Sequence, residues 1–123
     1  MGRTDKKVGY EPKSKHLGHT PQSAADGAVE ALKVLEGRWK MIILFHLFAS
    51  GTLRFSQLQR AIVGVSEKML IQQIRELERD GVVHRQVYAQ VPPKVEYSLT
   101  ELGQALCPAL DELLLWAELR KQK

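Results

Sequence analysis

Residues 64–81 read GVSEKMLIQQIRELERDG, and the fold turns on this stretch. Leu70, Ile74 and Leu77 recur at intervals of four and three, the spacing of one helical face, so the pattern predicts an amphipathic helix over 66–80. Ser66 stands where a helix N-cap belongs and Gly81 where the chain must stop. The opposite face carries Glu67, Lys68, Ile71, Gln72 and Arg75. An apolar back with donors and acceptors in front is what a helix needs to reach base edges in the DNA major groove. Gln72 can bond adenine through both amide atoms, Lys68 or Arg75 can reach guanine or a phosphate, and Ile71 can touch a thymine methyl. The helix start at Ser66 adds free amides and a positive dipole end suited to a phosphate. A polar helix face is equally what solvent alone requires, so the flanking segments decide between the two readings.

Upstream, Phe55, Leu58 and Ile62 predict a short helix over 55–61, joined to the first by the tight turn 62–66. Thr52–Arg54 suits a very short strand, and Arg54 and Ser56 stand where a phosphate can be held. Trp39, Ile42, Ile43 and Leu47 stripe a helix over 39–49, which Ser50 and Gly51 stop. Ala28, Ala31, Leu32 and Leu35 mark an earlier helix starting near Ser23 or Asp26. Before it, residues 1–22 hold Arg3, Lys6, Lys7, Lys13 and Lys15 among glycines and prolines, with no apolar periodicity. They predict a flexible basic arm ahead of a folded domain over 23–123.

Downstream, Val83, Arg85 and Val87 alternate with His84, Gln86 and Tyr88, and Val95, Tyr97 and Leu99 with Lys94, Glu96 and Ser98. This period of two predicts a hairpin with Val91, Pro92 and Pro93 at its tip, a wing over 86–94 from which Lys94 can reach the DNA backbone or minor groove. Thr100 caps a last helix whose Leu106, Leu110, Leu113, Trp116 and Ala117 form more apolar surface than one small domain covers. The fold class is therefore mainly α with a small β hairpin: a winged helix-turn-helix.

Composition agrees. The chain has 123 residues, 44% of them hydrophobic, a net charge of +4 and no apolar run long enough to span a membrane. The positive balance leans toward an anionic partner, and a single cysteine, Cys107, suits a reducing cytoplasm. No phosphate loop, metal-spaced cluster or nucleophile constellation points to an enzyme, a metal or a cofactor. His84 and Glu96, facing across the hairpin, read as a solvated pair.

The sequence resembles the HxlR-type winged helix-turn-helix regulators. The resemblance rests on Gly37-Arg38-Trp39 with Ile42-Ile43-Leu44, on Arg54-Phe55-Ser56-Gln57-Leu58, and on Gly64 to Leu70 and Arg75 to Val83. It is completed by the run from Val91 to Thr100 and by Leu113 and Trp116. It implies a cytoplasmic homodimer built from the first and last helices, with Leu32, Leu106, Leu110, Leu113, Trp116 and Ala117 at the interface. Two helices over 66–80 then read a near-palindromic stretch of double-stranded DNA. Redox-sensing members carry a cysteine just before the first helix, where this chain has Asp26, so Cys107 reads as a small buried or interface hydrophobe. A small-molecule effector is a further partner, for which Trp39, His46 and Trp116 are the aromatic candidates. The alternative function is a winged-helix protein-interaction module, which places an apolar patch where this chain has Lys68, Gln72 and Arg75.

Overall fold

The computed structural model describes residues 11–122, so Arg3, Lys6 and Lys7 of the basic arm lie outside the described residues. The chain divides into two compact units, one ending at Lys33 and one starting at Val34. In the first, Lys13–Leu17 form a short 3-10 helix, and α1 spans Pro21–Val34. The helix thus begins earlier than Ser23 or Asp26. Its cap is Thr20: the Thr20 amide donates to Ser23 Oγ at 3.0 Å and the Ser23 amide to Thr20 Oγ1 at 3.1 Å. Pro21 sits at the first helical position, where a missing amide costs nothing. Asp26 consequently lies inside α1 rather than before it.

The second unit follows the expected order: α2 (Lys40–Ser50), β1 (Thr52–Arg54), α3 (Phe55–Ala61), α4 (Glu67–Arg79), β2 (Val83–Tyr88), β3 (Lys94–Leu99) and α5 (Glu101–Lys121). Ser66 caps α4 by accepting the Met69 amide at 3.1 Å, and Thr100 caps α5 by accepting that of Gly103 at 3.0 Å. The hairpin is part of a three-stranded antiparallel sheet with β3 in the middle, β1 pairing along its other edge with Leu53 opposite Tyr97. Across the hairpin His84 faces Ser98, and Glu96 faces Gln86, so the expected His84–Glu96 pairing is two residues out of register.

The core joins Ile43, Leu44 and Leu47 of α2 to Leu58 and Ile62, to Leu70, Ile74 and Leu77 of α4, and to Val82, Val83, Tyr97 and Leu110. Each such Leu or Ile contributes about 1.5–3 kcal/mol by leaving water. Along the hairpin burial fades from Val83 (2% exposed) to Val87 (46%), so the distal half projects beyond the core as a wing. Leu110, expected on a dimer surface, is buried in the chain's own core, against which Leu106 also packs half-buried. A helix lying on a domain must spend its first inward turns there. Ala117 is half-buried, while Leu113 and Trp116 remain exposed, as does Leu32 on α1.

One close approach anchors α5. The Thr100 hydroxyl donates to the Gly81 carbonyl at 2.6 Å and the Thr100 amide to the Val82 carbonyl at 3.1 Å. That Val82 oxygen lies so near Gly103 that a Cβ there would collide with it. Gly103→Ala is therefore expected to cost about 1–3 kcal/mol through overpacking against backbone that cannot yield. Gly27→Ala, in open space on α1, is expected to be neutral or to stabilise by up to about 1 kcal/mol. Urea unfolding of the two variants checks this, and equal stabilities reject the close approach as a constraint.

Candidate nucleic-acid interface

Because Leu70, Ile74 and Leu77 commit one side of α4 to the core, Glu67, Lys68, Gln72 and Arg75 face outward and Ile71 is half-buried between them. With Glu76 and Arg79 they line one open groove. A second groove runs between α4 and the sheet, lined by Glu67, Ile71, Arg75 and Glu78 on one side and by Phe55, Arg85, Val95 and Tyr97 on the other. A third cleft, lined by Arg54, Phe55, Ser56, Gln90, Pro92, Pro93, Lys94 and Val95, lies between the start of α3 and the wing. Glu67, Ile71 and Arg75 are common to the first two, and Phe55 and Val95 to the last two. The surface is therefore continuous from the front of α4 to the wing tip.

The structure thus brings Arg54, Ser56 and Lys94 together in one cleft, on the same continuous surface as Lys68, Ile71, Gln72 and Arg75, with Ser66 as the cap that starts α4. Lys94 is the least available of them. Its ammonium lies 3.1 Å from a Glu96 carboxylate oxygen and 4.9 Å from the centroid of the Tyr88 ring, and its side chain is mostly buried. The strand alternation that puts residues 88, 94 and 96 on one face makes this trio. Arg85 was not singled out by the sequence, since alternation places it on the core face with Val83. Beyond the end of the core that same face opens into the groove beside Arg75.

A second unanticipated group is Lys40. It is 4% exposed, at the start of α2, and its Nζ is 2.6 Å from Glu76 Oε1 on α4. The signal was present in the chain: Lys40 precedes Ile43 and Leu47 by three and seven positions, in phase with the buried stripe of α2. Gln73 is in phase with Leu70 and Leu77 in the same way and is buried. Its side-chain oxygen lies where a Cβ on residue 37 would sit, 2.6 Å away, and residue 37 is a glycine at φ 126°, a region other residues rarely enter. The Lys40 ammonium, bonded to it, holds the Glu76 carboxyl below its ordinary range against the opposing effect of partial burial; the Gln72 amide and Arg79 pull the same way.

A remaining cleft is of a different kind. Leu47, Phe48, Gly51, Thr52, Ser98, Leu99, Gln104 and Cys107 line it, none of them charged, and Cys107 is exposed at its edge rather than buried. None of these four clefts is lined by Trp39, His46 or Trp116; Trp39 lies under the Arg38 guanidinium and Trp116 under that of Arg120. Among the described residues no group of three His, Cys, Asp or Glu side chains is placed to share a metal, and no helix is long and apolar enough to cross a membrane.

A capped helix with a polar front, a shorter helix and tight turn before it and a projecting hairpin after it define a winged helix-turn-helix domain. The HxlR-like helix-turn-helix family profile matches residues 34–123, and the chain belongs to that family. It is 53% identical over 90 residues to the uncharacterized HTH-type transcriptional regulator YtcD of Bacillus subtilis (strain 168), covering 72% of this chain and 71% of that protein. It is 48% identical over 92 residues to YdeP of the same organism, covering 75% and 71%. Among solved structures, the redox regulator HypR in its reduced form superposes with a TM-score of 0.72 at 44% identity, covering 77% of this chain and 93% of that one. The YtcD structure gives 0.72 at 50%, covering 77% and 97%. Both curated relatives are described as HTH-type transcriptional regulators.

The ion pair makes stability depend on pH. A carboxyl whose folded value is lowered adds stability above its unfolded value of about 4.3 and loses it as pH falls through the folded value. The stability gap between the unaltered chain and Glu76→Gln is therefore expected to be widest above about pH 5 and to close in more acid solution. Chemical unfolding at a series of pH values reads it, and a gap that ignores pH removes the Lys40–Glu76 pair as its source.

Proposed function

We propose that the chain is a sequence-specific regulator in which α4 enters the major groove of double-stranded DNA while the wing lies on the flanking backbone or minor groove. The observation that carries this reading is the continuous surface from Lys68, Ile71, Gln72 and Arg75 to Arg54, Ser56 and Lys94. It offers amide and guanidinium groups to base edges at one end and basic and hydroxyl groups to phosphates at the other. Arg85, in the groove between α4 and the sheet, adds a further cation to it. A protein-docking module is less well served, since Ile71 is the single aliphatic side chain on the front of α4.

The working form is a cytoplasmic homodimer reading a near-palindromic operator. Leu113, Leu114, Trp116 and Leu119 on α5, and Val29 and Leu32 on α1, are all about half exposed or more, an apolar excess that a second copy would cover. Two heads related by a two-fold axis would then meet half-sites about one DNA turn apart.

Fluorescence anisotropy with duplex DNA flanking the protein's own gene, against a scrambled duplex over a salt series, tests the first part. Preference for the flanking DNA is expected to persist at moderate salt, and Gln72→Ala and Arg75→Ala are each expected to remove about 1–3 kcal/mol of that preference. Absence of binding even at low salt, or variants that discriminate normally, would sink the assignment of α4. Sedimentation of Leu113→Glu/Trp116→Glu tests the second part: a monomer is expected, and an unchanged dimer would place the interface elsewhere.

A further inference from the structure

The groove on the front of α4 contains two carboxylates, Glu67 and Glu76, which a DNA-reading surface has electrostatic reason to avoid, and of these Glu76 is the half-buried one. Its surroundings show how it is held. One oxygen, Oε1, accepts from Lys40 at 2.6 Å, and the other, Oε2, lies 3.4 Å from the Gln72 side-chain nitrogen one turn earlier on α4. An ionised carboxylate can only accept, so it is the nitrogen of the Gln72 amide, and not its oxygen, that faces Glu76. Lys40 itself is buried at the start of α2, does not line the groove, and is ion-paired to Glu76.

We propose that Lys40 is a specificity-determining residue that never meets DNA: through Glu76 it fixes the orientation in which Gln72 presents its amide to a base. The inference rests on the assignment of α4 as the reading helix. Lys40 cancels the charge of Glu76 and pins its side chain. Glu76 in turn takes one amide hydrogen of Gln72. The second hydrogen and Oε1 remain, a donor beside an acceptor, which is the pair that adenine complements with N7 and N6 in the major groove. Among the described residues no other hydrogen bond engages the Gln72 side chain, so without Glu76 it would have to be ordered by the DNA alone, at a cost in rotamer freedom. The lowered proton affinity of Glu76 agrees with this arrangement, since it keeps the carboxylate an acceptor throughout the neutral range.

The test uses the full chain and two readouts. The first is the side-chain amide resonance of Gln72 in the free protein, followed through an acid titration. Lys40 faces Glu76 from α2, and Gln72 and Arg79 face it from α4. The resonance is expected to move with the Glu76 carboxyl, and in Lys40→Met, which keeps the buried volume without the charge, to move at higher pH. The second is selection from a library of randomised duplexes. The unaltered chain is expected to select adenine at one position of each half-site and Gln72→Ala to lose that choice. Lys40→Met should weaken it roughly tenfold while changing affinity for a scrambled duplex less than about twofold. Glu76→Gln, which also removes the charge, is the second variant and should act in the same direction.

A Gln72 resonance indifferent to the titration, or Lys40→Met selecting the same base as strongly as the unaltered chain, overturns the relay. Failure of the unaltered chain to select any sequence overturns the reading of α4 itself and the proposed specificity with it. The amide titration still separates that case from a relay that does not form.

Discussion

Everything exposed on α4 depends on how firmly its other side is held. A helix of 13 residues is marginal in isolation, and its orientation in a protein comes from the face it buries. Leu70, Ile74 and Leu77 supply the area, packing into one cluster with α2, α3, the sheet and Leu110. Area alone has no direction, however: an apolar stripe tolerates small rotations of the helix about its own axis. The hydrogen-bonded ion pair between Lys40 and Glu76 is directional. It ties a fixed point on α2 to a fixed point on α4, one turn beyond Gln72. Ser66, closing the first turn by accepting the Met69 amide, fixes the other end.

Such a pair is a poor way to gain stability. Taking an ammonium out of water costs several kcal/mol, and the attraction to a carboxylate that is itself partly solvated repays little more than that. Replacement by well-packed apolar side chains is often neutral or favourable, whereas losing one partner strands the other. Geometry is what the pair adds and an apolar substitute would not. The same reasoning applies to Lys94 on the wing. Its contacts with Glu96 and Tyr88 reduce the charge available to a phosphate but set where that charge stands at the mouth of the Arg54–Ser56 cleft.

Much of this was legible in the sequence, for physical reasons that differ between elements. The second unit was read nearly residue for residue because its helices have strong caps and clean periodicity, and because its strands alternate without interruption. The start of α1 was misplaced because Ser23 resembles a cap; its actual role is the third helical residue, answering Thr20 across Pro21. The pairing of β1 with β3 could not be read, since three residues carry no register of their own. At the site, the front of α4 was legible from helical phase. Lys40 and Arg85 were not: a lysine at a buried helical phase and an arginine on the core face of a strand both set polarity against periodicity. Lys40 is in phase with a buried stripe, and Arg85 is on the core face of a strand that outruns its core. Periodicity is the better guide for the buried Lys40, and polarity for the exposed Arg85.

The same contrast between phase and composition bears on α5. Of its 21 residues only Gly103 and Leu110 are buried, and Gly103 is there because the Val82 carbonyl leaves no room for a side chain. The helix is therefore seated on its own domain at its first turns, through Thr100, Gly103, Leu106 and Leu110. From Leu113 onward Leu113, Leu114, Leu115, Trp116 and Leu119 all remain between about half and three-fifths exposed. Single exposed apolar residues are ordinary, but a run of five large ones within seven positions is not what solvent selects on a monomer's surface. If covering them gained even a part of the roughly 1.5–3 kcal/mol that full burial of each such side chain yields, the sum would be of the order needed for a stable association after its entropic cost. In the proposed dimer, an element this long, anchored at one end and apolar at the other, would serve as half of the interface.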